Sequence, residues 1–147
     1  MASSWILVAD ASRARVLAGD RRLRDVVLVE EIDHAAGRLR ASDLTTDGAG
    51  RSAGARGTAP SAMDAHTDPA AVEHDAFARA LVERVATAFG AGQFQQLVIV
   101  APPRFLGLLR RHLPPALADR VVATLDRDLT QVPVHDLSDR LANVLPA

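Results

Sequence analysis

Gly50-Arg51-Ser52-Ala53-Gly54 spells the G-x-S-x-G pattern, in which a serine on a sharp strand-to-helix elbow serves as the nucleophile of a hydrolase. That chemistry needs a strand directly before the serine and a helix directly after it. Residues 35–67 are instead dominated by Ala, Gly, Ser, Thr, Asp and Arg with no apolar periodicity, so both flanks read as loop and the match as compositional. A second constellation, Asp64, His66, Asp68, Glu73 and His74, combines imidazole with carboxylate, the donors of a divalent-metal site. His66 precedes the helix expected from residue 69 and His74 lies inside it, so no pair of histidines shares a helix face at ligand spacing. These side chains read as solvated groups and as complements to a helix N-terminus, and neither a metal nor another cofactor is expected. A hydrolase acting through Ser52, or through a metal at His66 and His74, remains a third functional reading. His34, His112 and His135 have no evident partner in the sequence.

Three further groups bear on binding. Ala101-Pro102-Pro103-Arg104 stands where an apolar strand hands over to a helix, the crevice position at which open α/β sheets bind ligands. Its two prolines remove the backbone N–H groups of an anion nest and leave Arg104 as the donor, so a structural corner is weighed beside a ligand crevice. Asp126 and Asp128 flank Arg127, and pairing with nearby arginines accounts for both carboxylates without catalysis. Between residues 36 and 62, Arg38, Arg40, Arg51 and Arg56 stand against Asp43 and Asp47, a local excess of two positive charges interleaved with glycine. Such a segment can follow a phosphate backbone, although no aromatic lies between residues 35 and 76 on which a base could stack.

The elements that must position these groups follow from periodicity. Residues 5–9 form an apolar run closed by Asp10-Ala11-Ser12, a strand and a tight turn. Residues 13–17 alternate as a strand with one wet face, Gly19-Asp20 turns the chain, and residues 26–32 are rich in β-branched side chains, so an antiparallel three-strand meander is expected. Asp68-Pro69 pairs an N-cap with a proline at the first helical position. The helix it opens carries Val72, Ala76/Phe77, Ala80/Leu81, Val85 and Ala88/Phe89 on one stripe and ends at Gly90 and Gly92. Residues 97–101 are apolar on both faces, as in a central strand between helix layers. Pro102-Pro103 starts a second helix that Pro114-Pro115 stops, residues 121–125 form a last strand, and residues 133–144 an amphipathic helix with Leu137 and Leu141 inward. The expected class is α/β with a mixed sheet, a meander followed by α-β-α-β-α, in a single domain over residues 1–147 with a long loop at 35–67.

Composition narrows the function classes. The chain has 147 residues, 48% hydrophobic and 24% charged, with 17 basic against 18 acidic side chains and a net charge of -1. That balance excludes the strongly basic footprint of an autonomous duplex-DNA binder, so any nucleic-acid contact is local. The absence of cysteine excludes disulfides, thiolate nucleophiles and cysteine-ligated clusters. All the basic residues are arginine, which excludes Schiff-base chemistry and a P-loop lysine. No signal-peptide pattern opens the chain and no apolar run approaches a membrane span, so a cytoplasmic protein without a spanning segment is expected.

Several of these segments together resemble a known family. Trp5-Ile6-Leu7-Val8-Ala9-Asp10 with Ala14-Arg15, Gly50-Arg51-Ser52, Thr67-Asp68-Pro69 with Phe77-Ala78, residues 97–107 through Pro102-Pro103-Arg104-Phe105-Leu106-Gly107, and Leu125-Asp126-Arg127-Asp128-Leu129-Thr130 are similar, in order and spacing, to the bacterial host attachment protein family. The resemblance implies a fold related to the middle domain of archaeal and eukaryotic class-I peptide release factors, where a Gly-Gly-Gln loop lies between the third strand and a long helix. Residues 46–62 occupy that position, and within them residues 48–57 contain neither adjacent glycines nor glutamine, so the scaffold and an Arg/Gly loop carry over without the hydrolytic motif. The reading that follows is a non-enzymatic cytoplasmic protein whose Arg38, Arg40, Arg51 and Arg56 contact ribosomal or other structured RNA. The alternative is a protein-interaction module that affects host-cell attachment indirectly.

Overall fold

A computed structural model of the chain describes residues 2–34 and 68–145. The described residues form one five-stranded mixed sheet between two helical layers. The strands are β1 (Ser4–Ala9), β2 (Arg13–Gly19), β3 (Val27–Asp33), β4 (Gln96–Val100) and β5 (Val121–Leu125). The helices are α1 (Pro69–Gly90), α2 (Pro103–His112), the single turn α3 (Pro115–Ala118) and α4 (Val134–Leu141). Strand order is β3-β2-β1-β4-β5, with β1–β2 and β2–β3 antiparallel and β1–β4 and β4–β5 parallel. The α/β class, the mixed sheet and the meander followed by α-β-α-β-α are therefore present as expected. The short α3 is an addition: the proline pair stops α2 and then starts one more turn, as proline at a first helical position allows.

β1 lies in the middle of the sheet, so both of its faces are covered and all six residues are buried. Trp5, Leu7 and Ala9 point with Ala14, Val16, Leu97 and Ile99 toward Phe77, Leu81 and Val85 of α1, Phe105 and Leu109 of α2 and Leu117 of α3. Ile6 and Val8 point with Leu17, Val98 and Val100 toward Leu137 and Leu141 of α4 and toward Leu129. Each such large side chain contributes about 1.5–3 kcal/mol on leaving water, so the two apolar layers fix the alternation of the strands between them.

Local signals set the element ends. Asp68 caps α1 by accepting from the Ala70 amide at 3.1 Å, and Pro69 occupies the first turn. The buried stripe of α1 is Phe77, Ala78, Leu81, Val82, Val85 and Ala88, which corrects the expectation at its start: Val72 is 54% exposed and Ala80 is also exposed. His74 already stands at the rim of the sheet beside Asp10 and Ser12, so Val72, still earlier in the helix, projects past the strand ends. A second correction concerns β2, whose expected wet face is covered by residues 126–133, leaving Arg15 only 8% exposed. In the turn between β2 and β3, Asp20 Oδ1 accepts from the amides of Arg22 and Arg24, and Leu23 is buried with φ 63, in the left-handed region.

Candidate functional site

β1, β4 and β5 run in one direction, and β3, two antiparallel steps from β1, runs the same way. The carboxyl ends of four strands therefore share one rim, where β2 and α2 begin. This is the crevice side at which open α/β sheets offer ligand sites.

The rim is organised by Asp10, the residue after β1. Its Oδ1 accepts from the amides of Ser12 at 2.8 Å and Arg13 at 2.9 Å and from the Ser12 hydroxyl at 3.2 Å. This side-chain mimicry of a backbone turn reverses the chain into β2. The Ser12 proton is thereby directed at a carboxylate that already holds the turn. Across the rim, Asp128 Oδ1 accepts from the Thr130 amide at 3.0 Å and from the Thr130 hydroxyl at 2.6 Å. The same hydroxyl lies 3.2 Å from Asp10 Oδ2, so one proton faces two carboxylates and joins turns 120 residues apart. Among the described residues this turn stands in place of the expected pairing of Asp128 with arginine, because a neighbouring threonine supplies both donors locally.

Arg15 fastens the arrangement from beneath. Its guanidinium donates to the carbonyls of Thr130, at 3.1 Å, and Val132, and its Nε lies 3.9 Å from Glu31. The loop after β5 is thus held against β2 by a buried cation. The Nε groups of Arg13 and Arg15 are buried without a hydrogen-bond acceptor among the described residues.

On the side of α1 and α2 a crevice of about 340 Å³ opens beside Asp10, lined by Ser12, His74, Pro102, Arg104, Phe105 and Leu108 among others. Its size lies within the range of small-ligand pockets, and its walls combine apolar surface with a few polar groups. Arg104, which the sequence left between a structural corner and a ligand crevice, lines this opening and has no ion pair or hydrogen bond among the described residues. Pro102 and Pro103 do form the corner into α2, with the Pro102 carbonyl accepting from the Leu106 amide at 2.8 Å. The crevice also borders a helix rich in positive charge: α2 carries exposed Arg104, Arg110 and Arg111 and no carboxylate.

The histidines find partners that the sequence did not reveal. His34, at the end of β3, lies 3.0 Å from Glu73 of α1 and stacks on Phe77 with ring centroids 4.6 Å apart. His112 lies 2.9 Å from Asp75, and this hydrogen bond holds the Asp75 carboxyl below its ordinary value. His135 lies 3.6 Å from the neighbouring Asp136. Each pairing joins side chains brought close by the fold or by adjacency, and the first two depend on α1 packing beside β3 and α2.

Arg38, Arg40, Arg51 and Arg56, with Ser52, Asp64 and His66, lie outside the described residues. Within them, no group of three or more His, Asp or Glu side chains forms a metal-binding cluster. No helix of the described residues is long and apolar enough to cross a membrane. Asp10, Ser12 and Thr130 were not singled out for chemistry from the sequence. The usable signal was the Asp-x-Ser turn after the first strand together with the Asp-x-Thr turn after the last.

No curated protein matches this chain. Among solved structures, the crystal structure of an archaeal translation termination factor is similar, with a TM-score of 0.49 and 9% identity, over 93% of this chain and 34% of that one. The chain thus spans about a third of that factor's length. Asp10, Arg15, Arg104 and Asp128-Leu129-Thr130, drawn from four separate segments to one rim, all fall within residues 5–141, which match the family described as "Protein required for attachment to host cells", and the chain belongs to that family.

Proposed function

We propose that this protein is a non-enzymatic, cytoplasmic binder of structured RNA, the ribosome included, that meets the phosphate backbone at the carboxyl rim of its sheet. The supporting observation is the placement of the rim's fastenings. His34 and Glu73 lie 3.0 Å apart, one before and one after residues 35–67 in the chain, and Glu73 directly precedes His74, which lines the crevice with Arg104. In this reading the segment bearing Arg38, Arg40, Arg51 and Arg56, which lies in sequence between His34 and Asp68, acts together with Arg104 of α2, a helix without carboxylates. Arginine forks suit phosphate oxygens, and the interleaved glycines permit close approach of the backbone. The Asp10 and Asp128 carboxylates hold turns, which fits a binding surface better than an acid–base pair.

Sedimentation with ribosomes through sucrose gradients at low and moderate salt tests this reading, beside the variants Arg51→Glu/Arg56→Glu and Arg104→Glu. Co-migration that weakens with salt and is lost in the variants is expected. Each phosphate contact removed flattens the slope of log affinity against log salt by about 0.7–0.9. Absence from every ribosomal fraction, or affinity unchanged in both variants, refutes it. A second reading, a protein-interaction module through which host-cell attachment is affected indirectly, is favoured by the exposed apolar residues of β3. Nuclease-resistant protein partners in pull-downs support that reading.

A further inference from the structure

The connections of the sheet diverge at one place. From the carboxyl end of β1 the chain turns to β2 on one side, and from the carboxyl end of β4, the adjacent parallel strand, it passes through α2 and α3 to β5 on the other. Neighbouring parallel strands whose connections leave in opposite directions hold open a crevice outside their carboxyl ends. The opening of about 340 Å³ beside Asp10 stands at this point. Asp10 and Ser12 enter it from the turn after β1, and Pro102, Arg104, Phe105 and Leu108 from the handover after β4.

Two opposite charges line this crevice, and among the described residues neither is neutralised. Arg104 is exposed and has no hydrogen bond or ion pair. Asp10 is half-buried with no cation at ion-pair distance, and every donor it meets is neutral: the amides of Ser12 and Arg13 and the hydroxyls of Ser12 and Thr130. The donors fix the carboxylate in place and leave its charge. Three of them share Oδ1, so Oδ2, with the Thr130 hydroxyl alone, keeps a lone pair for another donor. The Ser12 hydroxyl gives its proton to Oδ1, and its own lone pairs remain as acceptors beside that carboxylate.

The β1 side of the crevice is therefore negative and accepts hydrogen bonds, the β4 side is positive and donates them, and Pro102, Phe105 and Leu108 add an apolar wall. A simple anion would bring its charge up to Asp10, and a simple amine would bring its charge up to Arg104. A zwitterion with an apolar group answers all three features. The volume is at the small end of ligand sites, which suits one amino acid rather than a peptide. We propose that this crevice binds a free α-amino acid with an apolar side chain. Its ammonium donates to Asp10 Oδ2 and Ser12 Oγ, its carboxylate meets the planar fork of Arg104, and its side chain lies against Phe105 and Leu108. The inference goes beyond the RNA reading and does not rest on it, since the amino acid is bound without RNA.

Saturation-transfer NMR and calorimetric titration of the full chain, free of RNA, test the assignment with L-leucine and L-phenylalanine. Isocaproate and hydrocinnamate, which lack the ammonium, and isoamylamine and phenethylamine, which lack the carboxylate, are titrated beside them. At least one amino acid is expected to bind with a dissociation constant below about 1 mM, and its two truncated analogues about 10-fold or more weakly. Arg104→Gln, at an exposed position, is expected to keep the circular dichroism of the parent and to weaken the amino acid about 10-fold or more. Arg110→Gln, on the same helix outside the crevice, is expected to leave binding unchanged. Failure of both amino acids to bind overturns the proposal, as does binding that Arg104→Gln leaves intact or that Arg110→Gln weakens equally. An analogue without the ammonium that binds as tightly as its amino acid removes the role given to Asp10 and overturns the zwitterion assignment.

Discussion

Replacing Arg15 by methionine keeps most of the side-chain length while removing the cation that holds the loop after β5. The Arg15 side chain is 10% exposed, and its guanidinium donates to the Thr130 and Val132 carbonyls. Hydrogen bonds involving a charged group contribute about 1.5–3 kcal/mol each, which places the gross loss at about 3–6 kcal/mol. Methionine also removes a buried Nε that lacks an acceptor among the described residues, a relief of about 1–3 kcal/mol. At mid-range values the expected net destabilisation is about 2.5 kcal/mol, which moves a urea midpoint down by about 1–2 M for a chain of this size. Trp5, the one tryptophan, is buried against Phe94 with ring centroids 4.9 Å apart, so its fluorescence follows global unfolding. Were Arg15 on a solvated strand face, the same change would cost less than about 0.5 kcal/mol. A midpoint within that smaller margin refutes the reasoning about the buried cation.

Two other substitutions probe separate parts of the structure. The His112 hydrogen bond holds the Asp75 carboxyl below its ordinary value, so the contact stabilises the fold above the ordinary carboxylate range near about pH 3.9 and is lost as pH falls through the lower folded-state value. Asp75→Asn is expected to lower stability by about 0.5 kcal/mol at neutral pH, a small figure because the Asp75 side chain is 41% exposed. The gap between variant and parent narrows in thermal melts as pH falls below the ordinary carboxylate range, and a gap that widens in acid contradicts the assignment. At Leu23, buried with φ 63, truncation to alanine costs about 2–5 kcal/mol. Glycine is ordinarily about 0.5–1 kcal/mol worse than alanine, but relief of the left-handed conformation, about 1–2 kcal/mol, cancels or reverses that order. Urea midpoints should therefore place Leu23→Gly level with or above Leu23→Ala, and a clearly lower glycine variant counts against backbone strain at this position.

How far the sequence could be read depended on the range of the interaction involved. Asp68 and Pro69 announced the start of α1 because the cap reaches only to the Ala70 amide. β4 was legible as a central strand because a helix layer on each face demands apolar residues at every position, and Leu137 and Leu141 marked the inward side of α4 through helical spacing. Arg15 was misread because the residues that cover it lie more than a hundred positions away. His34 and His112 found partners 39 and 37 positions distant, beyond any local pattern. The corner at Pro102-Pro103 was legible because the handover from strand to helix is written locally, whereas the meeting of Asp10 with Thr130 requires the finished sheet. Leu23 adopts a left-handed conformation without the glycine that would advertise it, since its burial and the Asp20 turn hold it there.

The parallel pairing of β1 with β4 also orders events during biosynthesis. Trp5 is registered with Leu97, so the strand made first must wait for most of the chain before its second neighbour exists. At a synthesis rate of about 5–20 residues per second, the intervening stretch takes on the order of 5–20 s to emerge. The β1–β2–β3 meander can pair early through near-neighbour contacts, but Leu7 and Ile6 then face water on both sides until α1, β4 and α4 arrive to cover them. Completion of the nascent domain is thus a late, collective step, and the waiting meander is the form of this chain on which a chaperone has the longest opportunity to act.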